Sequence, residues 1–429
     1  MKSARPICEV LSSKYEGKTV TVRGWVYRKR SMKEKIFLVI RDSTDIVQVV
    51  INSDSKAWQA AQKITIESSC YVTGKARKDA RAPTGYELDV TGLEIVGLAE
   101  VFPISRDVST EFLMDVRHLA IRGRKMQATL KVRSKVFEAI HEFCRAQKFH
   151  ETHSPFLVPG VAEEGLTMFK VDYYGTKAFL AQTWQLYAEA VLPALEKIYT
   201  IAPSFRAEKS RTTRHLTEYW HTEVEAAWYD LDKIIKFAEG LIAHVCQKVG
   251  KDCQHELKVL GRDPKVLLAI KAPFPRITYT QALKLLEKDG MKVRWGKDLR
   301  TLEERQLMNH YKKPLFVTHY PKEAMAFYKP RDPKDPKTAS CFDMLCPELG
   351  VELMGGSERD PSIEELKKSL KSKGEKVKDY EFYFDTRRYG AMPHAGFGLG
   401  TDRLVQWLCK LEHIRDAIPF PRTPSRIRP

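Results

Sequence analysis

The sequence predicts two domains of different character: a small all-β barrel at the N-terminus and a larger α+β domain after it. Three observations carry that prediction. The first hundred or so residues hold five short runs of β-branched and aromatic residues, separated by Gly, Asp, Ser or Pro. Residues 103–125 have no period. From Met126 onward, helical periodicity alternates with strand-like runs.

The β runs are Thr19–Val22 continuing to Tyr27, then Ile36–Ile40, Ile46–Ile51, Cys70–Ala76 and Tyr86–Val96. Residues 55–65, SKAWQAAQKIT, predict a short helix between the third and fourth. Five strands with a helix there fit a closed barrel of the OB type; the strands alone also fit an SH3-like barrel. This domain is placed at 1–102 and a hinge at 103–125. The helix starting at Met126 puts Val132, Val136, Ile140 and Phe143 on one face and stops before Pro155. A second amphipathic helix, Leu231–Val245, has Ile234, Ile235, Ala238, Leu241 and Ile242 on its apolar side. Between them, Ile198–Phe205 and Tyr219–Trp228 predict strands around a polar loop. Residues 330–337, PRDPKDPK, read as a surface loop, and the Lys-rich stretch 363–378 as a solvated helix face. The α+β domain is placed at 126–429.

Composition limits function. The 429 residues are 43% hydrophobic and 30% charged, a balance that excludes a disordered chain or a small disulfide scaffold. The N-terminus lacks the apolar run of a signal peptide, and no stretch of about 18 apolar residues predicts a membrane span. The eight Cys form no CxxC pair, so reduced thiols in a cytoplasm are expected. Lys and Arg total 72 against 55 Asp and Glu, a net charge of +17 that points to a polyanion such as nucleic acid. In the barrel, Arg28, Lys29, Arg30, Lys33 and Lys35 surround the first turn, beside Tyr27 and Phe37. Cations of that kind track phosphates and rings stack bases, each ring contributing about 1–3 kcal/mol.

Two segments of the second domain are dense in chemistry. Residues 205–219, FRAEKSRTTRHLTEY, present three Arg, a Lys, a His and two Glu between strands, a cationic cup suited to phosphate. Residues 396–404, GFGLGTDRL, place alternate glycines before Asp402 and Arg403. A dinucleotide fingerprint is excluded, because no third glycine stands at its spacing. The glycines instead suit a strand passing close to a planar ligand, with Arg403 projecting from a helix start toward it.

On these residues the chain resembles the class II aminoacyl-tRNA synthetases of the aspartyl, asparaginyl and lysyl subclass. Residues 205–219 are similar to motif 2, 396–404 to motif 3, about 190 residues later, and the helix from Met126 to motif 1. The barrel is similar to the anticodon-binding domain. The resemblance implies a catalytic domain built on an antiparallel sheet, ATP and Mg²⁺, and a homodimer through the motif 1 helix. Catalysis falls to Arg206, holding the α-phosphate and the amino-acid carboxylate, with Arg403. Glu208 meets the adenine edge, Tyr219 and Arg403 its faces, and Arg214 and His215 the γ-phosphate. Glu352 and Asp343 are the Mg²⁺ carboxylates; Val351 stands where the family often has Gly, and Gly355 at a further metal position.

Residues 210–225, SRTTRHLTEYWHTEVE, and 354–359, MGGSER, resemble asparaginyl enzymes, and the ending FPRTPSRIRP is similar to those of archaeal type. Arg359 matches the arginine that reads the amino-acid side chain, Glu223 an acidic partner, and Gln185 the glutamine at the substrate backbone. Glu163 or Glu164 would hold the ammonium. The aspartyl pattern QSPQLYKQ has a Lys where this chain has Ala188, so an aspartate carboxylate loses one of two cations. Arg359 with Glu223 supplies the donor and acceptor that a carboxamide needs. L-asparagine and tRNA(Asn) are the implied substrates. The alternatives are an aspartyl enzyme, discriminating or not, and a non-charging RNA-binding paralogue. In the barrel, Phe37 and Gln48 match positions that stack on and read the central anticodon base, with Arg28 beside them. The hinge residues Arg117, Arg122, Arg124 and Lys125 are expected to face tRNA. His150 and His153 read as surface residues, Cys341 and Cys346 as packing thiols, and His394 as either a pocket or a turn residue.

Overall fold

A computed structural model describes residues 3–105, 107–160, 168–209 and 214–429. It divides into two compact units, Met1–Met114 and Asp115–Pro429.

The first unit is a closed five-stranded barrel. Its strands are β1 (Thr19–Ser31), β2 (Lys35–Arg41), β3 (Ile46–Asn52), β4 (Ser69–Lys78) and β5 (Tyr86–Gly97), in the order β1-β2-β3-β5-β4. Period-two alternation sends Val20, Val22, Leu38, Ile40, Val47, Val49, Val72 and Leu88 inward. Each such side chain stabilises the unit by about 1.5–3 kcal/mol when fully buried. Gly24 permits closure: a Cβ there would lie 2.2 Å from the Arg41 carbonyl oxygen. The helix Trp58–Lys63 stands between β3 and β4 and adds Ala61 to the core. Strand count, helix position and closure agree with the OB reading.

The second unit opens where the hinge was expected, but not as an unstructured connector. Residues 103–125 hold the helices Thr110–Asp115 and Arg117–Ala120. Buried Arg117 anchors the second of them by donating to the carbonyls of Pro419, Arg415 and Ile418, at 2.8, 3.0 and 3.0 Å. That corrects the expectation that Arg117 faces tRNA. The anchor is about three hundred residues away in sequence, so no local pattern announces it.

The motif 1 helix runs Arg124–Ala146 and ends well before Pro155, because Lys148 turns the chain at φ 63°. Strand β6 (His150–Glu151) follows. Strands β7 (Leu157–Val158), β8 (Lys170–Tyr173) and β9 (Thr176–Leu180) form a small sheet. The principal sheet adds β10 (Lys197–Phe205), β11 (Glu218–Ala227), β12 (Arg276–Thr278), β13 (Leu315–Thr318), β14 (Cys341–Cys346), β15 (Val351–Glu358) and β16 (His394–Gly400). Its order is β12-β13-β14-β15-β16-β11-β10-β6. The interior pairs are antiparallel, as expected, while the outermost pairs β12–β13 and β10–β6 are parallel, so the sheet is mixed.

The helices Arg124–Ala146 and Leu231–Asp252 pack on one sheet face, through Val132, Val136, Ile140, Ile234, Leu241 and Val245 against Val224, Ala226, Phe397 and Leu399. The second helix outruns its predicted end because Cys246 and Val249 continue the apolar stripe. Asp230 caps its start, accepting from the Lys233 N–H at 2.8 Å. Alternation then turns His221, Glu223 and Glu225 of β11 to the opposite face. The Lys-rich stretch holds the helix Ile363–Ser372, which buries only Leu366 and Leu370.

Candidate active site

Strands β11 and β16 pair so that His221, Glu223 and Glu225 stand opposite Gly400, Gly398 and Gly396. A Cβ on Gly396 would lie 2.3 Å from the Glu225 carboxyl carbon, and one on Gly398 2.5 Å from His221 Nε2. The glycines therefore make room first for the protein's own polar side chains. Gly398 and Gly400 also line a cleft, as a strand close to a ligand should.

That cleft measures about 730 Å³ to its open mouth. It gathers all the residues expected to meet ATP. Arg206 and Glu208 follow β10, Arg214, His215 and Tyr219 lead into β11, Glu352 comes from β15, and Arg403 from the helix Thr401–Cys409. Arg206 lies 5.7 Å from the centre of the Tyr219 ring. Arg403 donates to the Glu352 carbonyl at 2.8 Å and stands 3.7 Å from its carboxylate. Arg214 binds Glu304 at 2.6 Å. Burial pushes the Glu304 carboxyl up to about 7, against Arg214. Burial, then Arg403, Arg214 and Arg206, lower His215 to about 4, so it is a neutral group at pH 7.

Asp343 and Glu352 converge over Gly355. A Cβ there would lie 3.1 Å from Asp343 Oδ1 and 3.1 Å from Glu352 Oε1. Burial and the Glu352 charge push Asp343 well above the usual carboxylate range. Two carboxylates held together over a glycine fit a hard divalent cation that phosphate oxygens would also ligate. Among the described residues, no group of three or more His, Cys, Asp or Glu forms a metal centre by itself.

Next to the cleft lies a buried polar pocket. Arg359 donates to both Glu225 oxygens, at 3.3 Å from Nε and by a shorter bond from Nη2, and to Ser357 Oγ at 2.8 Å. Its partner is thus Glu225, not the expected Glu223. Glu223 instead accepts from the Thr183 hydroxyl and, at 2.9 Å, from the Trp184 N–H, fixing the turn before Gln185. Burial raises Glu223, but His221 and these donors outweigh it and hold the carboxyl below its usual value. Burial and Glu189 push Glu225 up to about 7, against Arg359. Gln185 bonds Glu189 at 2.9 Å. His394 reaches Glu189 at 2.9 Å and the Met392 carbonyl at 2.9 Å, so it both walls the pocket and secures the turn. Ala188 packs among Trp184, Leu192, Ile198 and Ala227. Glu163 and Glu164 lie outside the described residues. Glu225, Glu189, Tyr383, Arg387 and Glu304 were missed; only Glu225 left a signal, two residues from Glu223 on a strand and so on its face.

In the barrel, Arg28, Val39 and Gln48 are in register across β1, β2 and β3, with Phe37 next but one along β2, opposite Arg30. The four share the outer face. Phe37 is half-buried there between inward Ile36 and Leu38, so it is not core. Gln48 donates to Glu87 at 2.7 Å. Arg122 and Lys125 are exposed and Arg124 is half-buried. His150 is exposed on β6, and Cys341 and Cys346 are buried thiols. No described helix is long and apolar enough to cross a membrane.

Comparison with known proteins agrees with this geometry. Residues 109–424 match the model of class II tRNA synthetases (D, K and N), and residues 20–96 that of the OB-fold nucleic acid binding domain. An asparagine–tRNA ligase of Thermococcus kodakarensis is 45% identical, covering 98% of this chain and 99% of the relative. One of Thermoplasma acidophilum is 43% identical, covering 99% of each. The crystal structure of asparaginyl-tRNA synthetase from Pyrococcus horikoshii, complexed with asparaginyl-adenylate, superposes with TM-score 0.95 at 43% identity over 100% of both chains. The chain belongs to the class II tRNA synthetases, and within them to the asparagine–tRNA ligases.

Proposed function

We propose that this protein ligates L-asparagine to tRNA(Asn) in two steps in the cytoplasm. The observation that carries the reading is one cleft holding Arg206, Arg214 and Arg403, continuous in sequence and strand with a buried Arg359–Glu225 pair. In the first step a carboxylate oxygen of asparagine attacks the α-phosphorus of ATP. The bond from that phosphorus to the bridging oxygen breaks, and pyrophosphate leaves with the electron pair. Arg206 lies between the two anions and offsets their repulsion as charge grows on the phosphoryl oxygens. Tyr219 and Arg403 sandwich the adenine, Glu208 reads its edge, and Arg214 and His215 face the γ-phosphate. Glu352 and Asp343 would hold Mg²⁺, which supplies charge neutralisation on the phosphates. In the second step a terminal ribose hydroxyl of the tRNA attacks the asparaginyl carbonyl and AMP leaves.

Arg359 and Glu225 offer one donor and one acceptor to the substrate carboxamide, and Gln185 holds the backbone end. Glu163 or Glu164 would complete it at the ammonium. The barrel face of Arg28, Phe37 and Gln48 reads the anticodon, with Arg122, Arg124 and Lys125 as further phosphate contacts. The motif 1 helix makes a homodimer, expected to sediment at twice the monomer mass.

The test is ATP–pyrophosphate exchange with asparagine against aspartate. Exchange should depend on asparagine, and Arg206→Ala should lower it by at least about 100-fold, the scale of one lost charge-stabilising donor. Equal or faster exchange with aspartate overturns the choice of amino acid. Unchanged exchange by Arg206→Ala overturns the site.

A further inference from the structure

We infer that Glu189 is the positioning residue that keeps aspartate out of the amino-acid pocket, by neutralising the cations gathered behind it. The inference rests on the asparagine reading above and goes one layer deeper into the same pocket.

Glu189 lies on the helix Gln185–Leu195 and is fully buried. Its two oxygens meet five side chains. Arg387 stands at 2.6 Å, Tyr383, Gln185 and His394 at 2.9 Å each, and Arg359 at 3.9 Å. Arg387 and Tyr383 come from the helix Glu381–Arg388, so the carboxylate ties two helices to β16 and to Arg359. Burial opposes its charge, and Arg387, His394 and Arg359 more than compensate, holding it below the usual carboxylate range.

Arg359 and Arg387 are both buried, and His394 has both ring nitrogens on acceptor oxygens. Without Glu189, Glu225 would still pair with Arg359, but Arg387 would lose the carboxylate it holds at 2.6 Å. A pocket so charged would welcome the extra carboxylate of aspartate. With Glu189 ionised, that carboxylate gains little from the cations and loses its hydration, while the neutral carboxamide still finds the Arg359 and Glu225 pair. The same carboxylate aims the Gln185 amide, so it shapes the substrate backbone site as well.

The experiment is ATP–pyrophosphate exchange at pH 8, where Glu225 is ionised, with asparagine and with aspartate. Three variants are compared with the wild type: Glu189→Gln, Arg387→Met, and both together. Glu189→Gln should lower the asparagine-to-aspartate ratio of kcat/KM by about 10- to 100-fold, since a buried charge left unbalanced is worth that much discrimination. Arg387→Met moves the charge the other way and should raise the ratio. The double variant restores the balance and should return the ratio toward that of the wild type. Equal losses with both amino acids would mean that Glu189 only braces the fold, and would overturn the inference. If Glu189→Gln does not fold, the opposite shift from Arg387→Met still decides: no rise in the ratio overturns it. A wild type that does not use asparagine would instead overturn the reading beneath it.

Discussion

Gly396→Ala is the most economical test of how the specificity pocket is built. The added methyl would lie 2.3 Å from the Glu225 carboxyl carbon. Unbonded carbons settle at about 3.5–4.0 Å, so the carboxylate must retreat by more than about 1 Å. It cannot do so and keep both bonds from Arg359. Overpacking costs about 1–3 kcal/mol and breaking a buried ion pair about 3–5 kcal/mol. Of a whole stability of about 5–15 kcal/mol, that is a large share. The assay pairs thermal unfolding with exchange kinetics titrated separately in asparagine and ATP. Tm should fall and the KM for asparagine should rise by about 100-fold, the equivalent of roughly 2.7 kcal/mol of the lost pairing, with the KM for ATP near its original value. Gly398→Ala is the contrast. Its methyl would meet His221 Nε2 at 2.5 Å, and Gly398 lines the nucleotide cleft. It should raise the KM for ATP instead. An asparagine KM left intact by Gly396→Ala would refute the claim that Glu225 and Arg359 form the reading pair.

The other expectations concern the barrel, the metal and a histidine. Phe37→Ala should weaken tRNA binding by about 1–3 kcal/mol, measured by filter binding, and leave tRNA-independent exchange unchanged. Glu352→Gln should raise the Mg²⁺ concentration needed for half-maximal exchange, because one of two carboxylates at the phosphates loses its charge. His215 is lowered to about 4 in the fold from an ordinary 6.5. The unfolded chain therefore takes up a proton there between pH 6.5 and 4 while the folded one does not. Stability should fall as the pH drops through that window and be indifferent to this group above it. His215→Gln should flatten that part of the curve of Tm against pH.

The elements most open to reading from sequence were those whose pattern is local. Much of the barrel's strand sequence alternates, as in Thr19–Val22 and Ile36–Ile40, and the helices repeat their apolar residues along one face, so Val22, Leu38, Val136 and Leu241 declared themselves. The ATP residues were equally plain, because they sit in two contiguous segments that the family shares. The pocket was less so. Which acid pairs with Arg359 depends on the register of β11 against β16 and on where Arg359 leaves the end of β15, and register is a tertiary fact. Glu189 was invisible for a related reason. Its partners Arg387, Tyr383 and His394 come from some two hundred residues away, and each is unremarkable alone. Glu304 and Arg214 met across a gap of 90 residues.

The anchor at Arg117 has a consequence for how the chain is made. Its guanidinium donates to carbonyls of Arg415, Ile418 and Pro419 and to the Asp416 carboxylate, some three hundred residues later. Arg133 likewise awaits Asp402 and the Ala417 carbonyl. A ribosome adding about 5–20 residues per second needs roughly 15–60 s to supply them. For that interval the helices that carry Arg117 and Arg133 cannot bury these guanidinium groups against their final acceptors, while the barrel already has all five of its strands. The catalytic unit therefore completes these anchors late and together, once residues 402–419 have left the exit tunnel.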